Sequence, residues 1–219
     1  MCNRFKSILV SNVLAKISDR RVLYSWPRNK DCGAGILSLL DVSSTKHSRF
    51  GNSYTLKFPG IDVEPERLLP AELKPGLCVL DRQWQYITES QLRYILNTYD
   101  VTVQDVIRPR TELISEAREL KASWSSDYVG VHFRRGDFHL MDGWIAHAER
   151  YVQAIEHVDN AIGKILPIFL ATDATEGELD ALKQSFPNRL IRRPPVDRLS
   201  DRGVQNAMID WLLLSGAPR

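Results

Sequence analysis

The sequence predicts an α/β protein built on a parallel, doubly wound sheet. Residues 128–133 and 167–171 are short apolar runs, as expected of strands that are buried on both faces. Each run is followed by a stretch with helical periodicity, and this alternation continues to the end of the chain. Alternating strands and helices are typical of parallel sheets with helices on both faces.

The length and net charge of the chain limit the classes of protein to which it can belong. A chain of 219 residues has room for one large domain or two small ones and can bury a substantial core. The formal net charge of +2 indicates no dedicated nucleic-acid or membrane surface. Arginines are concentrated at residues 189–202, but no aromatic side chain accompanies them there, which favours a solvated face over a polyanion site.

Cysteine usage and hydropathy bear on the compartment. The 3 cysteines are widely spaced and form no Cys-x-x-Cys motif, which indicates reduced thiols rather than a disulfide framework or a zinc site. No apolar run is long enough to span a membrane, and the N-terminus lacks a signal-peptide pattern. We expect a cytoplasmic protein, or a Golgi-lumenal one if the sequence is a piece of a longer eukaryotic chain.

In the first half, periodicity predicts helices and strands around a long polar stretch. The helices are expected over residues 4–17, 89–99 and 110–122, and the strands over residues 21–26, 54–58 and 77–80. Residues 41–76 are polar and rich in Pro and Gly, and form either a loop that lines an acceptor site or a surface insertion. We place the domain boundary after residue 124, which gives domains of residues 1–124 and 125–219.

In the second half, the strand and helix patterns follow one another closely. Strands are expected over residues 128–133, 167–171 and 190–191, and helices over residues 143–155, from Thr175 to 185, and from Ser200 or Asp201 to 216. Thr175 and Glu178 match a capping box at the start of the middle helix.

Two adjacent arginines follow the first of these strands. Arg134 and Arg135 come directly after the apolar run, and Gly136 then breaks the strand into a turn. Ligands bind at the carboxyl edge of open α/β sheets, and an arginine pair there suits bidentate capture of a phosphate. The alternative is a solvated turn in which the arginines pair with Asp137 and His132 is a core histidine.

Two further acids are candidate ligand-binding residues. Asp173 follows the second strand, where it can bond a ribose hydroxyl, orient an arginine or cap the next helix. Asp210 lies in a helical stretch that is apolar on nearly every face. A buried carboxylate needs a partner with several donors, and either an arginine from a neighbouring element or the N1–H and N2–H groups of a guanine base would serve.

The loop after the arginines carries a candidate general base. Asp142 could accept the proton of an acceptor hydroxyl, with His139 behind it, although plain loop polarity explains either residue as well. The acids and histidines of this loop match no metal-ligand spacing. Glycine-rich nucleotide-binding loops are absent from the sequence, so a bound phosphate would be held by arginine.

Four patches of sequence, in the same order, resemble the GDP-fucose-dependent fucosyltransferases, the group that contains the α1,6-fucosyltransferases and the bacterial nodulation fucosyltransferase. These patches are His-x-Arg-Arg-x-Asp at residues 132–137, Leu-Ala-Thr-Asp at 170–173, Gly-x-Gln-x-Ala-x-x-Asp at 203–210, and Asn3-Arg4 together with residues 26–34. The resemblance implies two Rossmann-like halves in a GT-B-like arrangement, with the acceptor domain first and the GDP-sugar domain second.

The resemblance also implies roles for single residues. Arg134 would hold the diphosphate and stabilise its charge as fucose is transferred with inversion, and Arg135 would support it. His132 and Asp210 would contact the guanosine, and Asp173 would lie in the donor site. No metal or other cofactor is implied. The partners would be a GDP-sugar donor and a carbohydrate acceptor, without nucleic acid.

The sequence also departs from the pattern of the family. Phe138 stands where the α1,6 enzymes have a lysine, and Asp142 occupies the place of an acid in those enzymes. The glycines expected before Cys2 and the serine-rich loop expected after Arg219 are missing, so we expect a chain truncated at both ends, with an incomplete C-terminal half. A non-catalytic nucleotide-sugar-binding protein is the alternative, and a polyanion-binding module is a third hypothesis.

Overall fold

The computed structural model describes residues 2–23, 33–41, 53–124, 127–135, 147–197 and 199–217. The chain forms two compact units, Met1–Arg110 and Thr111–Arg219. The division falls earlier than the boundary at residue 124 expected from the sequence. The reason is that helix α4 (Thr111–Ala122) packs against the last helix, α7 (Asp201–Ser215), and therefore belongs to the second unit.

The first unit combines helices with a small parallel sheet. Its helices are α1 (Cys2–Ser18), α2 (Glu89–Thr98) and α3 (Val103–Val106), and its strands are β1 (Ser53–Leu56) and β2 (Leu77–Leu80). The two strands pair in parallel, with Ser53 opposite Leu77. Helix α1 packs on α2 and on the 3₁₀ turn Arg82–Tyr86, whose Trp84 is fully buried and donates from Nε1 to the Leu56 carbonyl at 2.9 Å.

The predicted elements of this unit are largely confirmed. The helices expected over residues 4–17 and 89–99 and the strand over 77–80 are present, and the strand expected over 54–58 covers Ser53–Leu56. Residues 21–23 of the strand expected over 21–26 are not in a strand, and residues 24–26 lie outside the described residues.

The second unit contains the three-stranded parallel sheet that the sequence predicts. Its strands β3 (Val129–Phe133), β4 (Ile168–Thr172) and β5 (Leu190–Ile191) lie in the order β3-β4-β5, and helices α5 (Ala148–Ile162) and α6 (Asp180–Ser185) connect them. Helix α5 continues beyond the predicted end at residue 155. It ends where Gly163 adopts a left-handed conformation, with φ of 68°, which glycine tolerates at a helix C-terminus.

The two faces of this sheet are covered by different helices. Val131 and Phe133 point to one face, where they pack in a cluster with Ile155 of α5 and Leu182 of α6. On the opposite face, Gly130 lies against α7, and an added Cβ would come within 3.2 Å of the Ala217 Cβ atom.

Tyr128 fixes the same end of α7, and Trp124, just after α4, packs on β4. Phe169 stacks on Trp124 with ring centroids 5.1 Å apart. The hydroxyl of the buried Tyr128 donates to the Leu213 carbonyl at 2.5 Å. Because the last turn of α7 lies at the start of β3, its first turn points toward the carboxyl edge of the sheet.

The close packing of Gly130 predicts a cost for a larger residue. In Gly130→Val the added side chain would collide with Ala217 and Leu214, and we expect the free energy of unfolding to fall by about 1 to 3 kcal/mol. Urea unfolding followed by tryptophan fluorescence measures this change. Gly35→Val is the matched control, because Gly35 has an extended φ of −78° and no atom within 4 Å of an added Cβ. Equal stabilities of the two variants would contradict the packing of α7 on β3.

Candidate functional site

The carboxyl ends of β3 and β4 are tied together by two hydrogen bonds, and a third lies within the segment after β4. Thr172 Oγ1 donates to the Phe133 carbonyl at 2.6 Å and accepts from the Ala174 N–H at 3.0 Å. The backbone N–H of Arg135 donates to Asp173 Oδ1 at 2.6 Å. The structure therefore brings Arg134, Arg135 and Asp173 to one edge of the parallel sheet. Asp173 anchors the arginine turn, instead of capping the helix that follows.

His132 lies on the face of the sheet that α7 covers. Side chains alternate along a strand, so His132 shares the face of Gly130, whereas Val131 and Phe133 point to α5 and α6. Arg134 follows directly after β3, and its charge acts on His132. Both side chains are exposed. Partial desolvation and the positive charge of Arg134 lower the pKa of His132, while Asp173 acts in the opposite direction. At neutral pH His132 is therefore an uncharged imidazole, with one donor and one acceptor nitrogen.

Arg135 is held by a carboxylate from the other side of the sheet. Its Nε donates to Glu178 Oε1 at 2.8 Å, and its guanidinium carbon lies 5.9 Å from the centre of the Phe133 ring. Glu178 belongs to the 3₁₀ turn Gly177–Leu179, which leads into α6. It also accepts from the backbone N–H and the hydroxyl of Thr175, at 2.8 and 2.9 Å.

These contacts strongly favour the ionised form of Glu178. The Thr175 N–H and the Arg135 side chain are the main causes that lower the pKa of Glu178 to about 2. The sequence predicts a role for Glu178 only as the last residue of a capping box that begins at Thr175. The predicted bond from Glu178 back to the Thr175 N–H is present, but the Thr175 hydroxyl donates to Glu178. The capping signal thus located a residue that also positions Arg135.

Asp210 pairs with an arginine. An arginine and a guanine base were the two partners that the sequence left open. Arg193, just after β5, donates from Nη1 to Asp210 Oδ1 at 3.1 Å and to the Asn206 carbonyl at 2.8 Å. The Arg193 side chain is 10% exposed and that of Asp210 is 25% exposed. Burial raises the pKa of Asp210, and Arg193 opposes this effect. In the sequence, Arg193 is marked only by its place in the arginine-rich stretch of residues 189–202.

The other arginines of that stretch are also matched by carboxylates. Arg189 makes a bidentate pair with Asp159, with both bonds at 2.8 Å. Arg192 pairs with Glu176, and Arg202 binds both oxygens of Glu116. The side chain of Arg198 lies outside the described residues. Since these charges are balanced within the unit, the polyanion hypothesis loses the feature that favoured it.

The candidate base lies outside the part of the chain that the structure describes. Asp142 and its neighbours Asp137 and His139 all fall in residues 136–146, which are not described. Within the described residues, no group of three or more His, Cys, Asp or Glu side chains is placed to hold a metal ion. In the same residues, no helix is both long and apolar enough to cross a membrane.

Comparison with known proteins gives a match in structure only. Neither a family model nor a curated protein sequence matches the chain. Among solved structures, the NodZ α-1,6-fucosyltransferase soaked with GDP-fucose matches 99% of this chain and 82% of its own, with a TM-score of 0.61 and 16% identity. The fucosyltransferase NodZ from Bradyrhizobium matches 97% of this chain and 82% of its own, with a TM-score of 0.60 and 16% identity.

The chain therefore has a GT-B-like α/β fold with parallel sheets, as predicted. The particular fold is that of the fucosyltransferase NodZ, and the resemblance read from the sequence motifs is confirmed at the level of the fold. NodZ co-crystallised with GDP matches as well, over 97% of this chain and 81% of its own, with a TM-score of 0.58 and 16% identity.

The bond network of Glu178 predicts a pH-dependent contribution to stability. The pKa of Glu178 is about 2 in the folded protein and 4.5 in the reference state, so its carboxylate stabilises the fold above pH 4.5 and loses this effect as the pH falls toward 2. We expect Glu178→Gln to lower the free energy of unfolding at pH 7 by about 1 kcal/mol. The effect is well below the full pKa shift because the Glu178 side chain is 32% exposed.

Urea unfolding at pH 7 and at pH 3 tests this prediction. The two proteins should differ at pH 7 and come closer together at pH 3. Glu176→Gln is the control, because Glu176 forms its ion pairs with Lys183 and Arg192 rather than with Arg135 and is more exposed, at 66%. A stability difference that is the same at both pH values would show that the charge of Glu178 is not responsible.

Proposed function

We propose that the chain is an inverting glycosyltransferase that transfers fucose from GDP-fucose to a hydroxyl group of a carbohydrate. In this proposal the second unit binds the donor and the first unit binds the acceptor. The observation that carries the proposal is the position of Arg134 and Arg135, directly after β3 at the carboxyl edge of a parallel sheet. Oxygen anions such as a diphosphate bind well where paired guanidinium groups meet such an edge.

The two arginines have different surroundings, which suits different roles. Arg134 is exposed just after the end of β3, where its planar guanidinium can bind the diphosphate in a bidentate manner. Arg135 is partly buried and is oriented by Glu178 and Asp173. We assign the diphosphate contact to Arg134 and a supporting role to Arg135.

The guanosine would lie on the side of the sheet toward α7. The neutral His132 offers a donor and an acceptor there, and Asp210 offers carboxylate oxygens for the N1–H and N2–H groups of guanine. Asp173 lies between the two strand ends and can reach a ligand that contacts Arg134. NodZ, which has this fold, was solved with GDP-fucose and with GDP, and these complexes support the choice of donor.

The proposed reaction is a single displacement. The acceptor oxygen forms a bond to C1 of β-L-fucose as the bond from C1 to the diphosphate oxygen breaks. The electron pair of that bond stays on GDP, where Arg134 stabilises the growing charge. The proton of the acceptor hydroxyl passes to a general base, for which we propose Asp142 with His139 behind it. As the family resemblance implies, no metal takes part.

A protein that binds a nucleotide sugar without transferring it is the second candidate. It is favoured by Phe138, which replaces the lysine of the α1,6 enzymes directly after the motif. Both candidates require GDP binding, and only the first requires turnover of GDP-fucose.

Calorimetry of the whole chain with GDP, ADP and UDP tests the shared requirement. We expect GDP to bind and the other two nucleotides to bind more weakly, because only guanine presents adjacent N1–H and N2–H donors to Asp210. Release of GDP from GDP-fucose, with and without glycan acceptors, then separates the enzyme from the binding protein. No selectivity among the three nucleotides would refute both.

Arg134→Ala tests the assignment of the diphosphate contact. Loss of a charged hydrogen-bonding partner should weaken GDP binding by about 1.5 to 3 kcal/mol and abolish transfer. The control is Arg93→Ala, because Arg93 lies on α2 and pairs with the exposed Glu89 in the first unit. Normal turnover in Arg134→Ala would remove this arginine from the mechanism.

A further inference from the structure

We propose that Arg193 is the positioning residue for Asp210 and thereby sets the preference of the site for guanine. This inference rests on the proposed binding of a GDP-sugar. The residue joins the end of β5 to the middle of α7, and it is the only arginine in the described residues with a hydrogen bond to Asp210.

The geometry shows why Arg193 can orient the carboxylate. A single nitrogen, Nη1, donates both to the Asn206 carbonyl at 2.8 Å and to Asp210 Oδ1 at 3.1 Å. These two acceptors lie one turn apart on α7. The guanidinium is therefore docked on the helix backbone as well as on the carboxylate. With 10% of its side chain exposed, Arg193 has little room to adopt another rotamer.

Arg193 lies closer to Asp210, at 3.1 Å, than to Glu116. Glu116 on α4 is the other carboxylate near Arg193, at 3.9 Å, but both of its oxygens are bound by Arg202 of α7. His132, on the sheet face that α7 covers, is neutral at pH 7 because its pKa is lowered. Among these groups, Arg193 is the cation that acts on Asp210, and it opposes the rise in the pKa of Asp210 caused by burial.

The consequence for base recognition follows from hydrogen-bond chemistry. An ionised carboxylate has about four acceptor positions, so one bond from Arg193 leaves acceptors for the N1–H and N2–H groups of guanine. Adenine presents an unprotonated N1 at the same place, which an ionised carboxylate repels. A protonated Asp210 would instead donate to adenine N1 and lose an acceptor for guanine. The charge state of Asp210 therefore decides between the two bases.

Arg193→Met tests the proposal, with Arg189→Met as the matched control, because Arg189 is also largely buried but pairs with Asp159. Calorimetry with GDP and with ADP is run from pH 5.5 to pH 8 on the whole chain. In the native chain we expect a steady preference for GDP. In Arg193→Met the preference should fall on the order of tenfold at pH 7, equivalent to the loss of one charged hydrogen bond.

The pH profile distinguishes positioning from a merely structural role. GDP binding needs ionised Asp210 and weakens as the pH falls through its pKa, so this loss should occur at higher pH in Arg193→Met than in the native chain. Arg189→Met should lower stability without moving the profile or the preference, because its partner is Asp159. Asp210→Asn should show a low preference that does not change with pH.

If Arg193→Met does not fold, Arg193→Lys is measured in its place. Lysine supplies the charge but not the fixed planar donor group, so the native pH profile should be kept while the preference falls partway. A native preference and profile in the Arg193 variants, or an equal loss in Arg189→Met, overturns the inference without contradicting the proposed function. If the native chain itself does not prefer GDP, the proposed function fails and takes this inference with it.

Discussion

The pairing of β3 with β4 is the interaction on which the candidate site depends. The parallel register sets Phe133 opposite Thr172, so both strands end at the same level. Arg134 and Arg135 follow β3 directly, and Asp173 follows β4. These three residues lie at the same edge because the two strands end at the same level. The bond from the Arg135 N–H to Asp173 and the bond from Thr172 to Phe133 close this edge. A shift of the register by one residue would separate these groups and turn their side chains to the opposite faces.

The alternation of side chains along β3 also separates the roles of its two arginines. Because consecutive residues point to opposite faces, Arg135 follows the side of α5 and α6, where Glu178 binds it. Arg135 is thus held by Glu178, while Arg134 is exposed just after the end of β3. Two adjacent arginines at the end of one strand therefore differ in exposure and in partners.

Sequence reasoning was most successful where local chemistry decides the structure. The apolar runs of β3 and β4 and the Ser200 cap of α7 were predicted from local patterns, and all three are present. The boundary between the units was misplaced because it depends on α4 packing against α7, two elements far apart in the sequence. The same limit applies to the ion pairs. The apolar surroundings of Asp210 showed that it needs a partner, but only the fold selects Arg193 from several nearby arginines.

The pair of Arg193 and Asp210 is better explained by recognition than by stability. Withdrawing both charges from water costs free energy that their attraction barely recovers, and apolar residues of similar size often stabilise a fold as well or better. The arrangement also satisfies Asp210 at one oxygen, although a carboxylate can accept several more bonds. A helix whose other buried positions are Val204, Met208, Ile209 and Leu213 has no need of a carboxylate for packing. A carboxylate that is oriented by an arginine and bonded at one oxygen has acceptor positions left for a base with two adjacent donors.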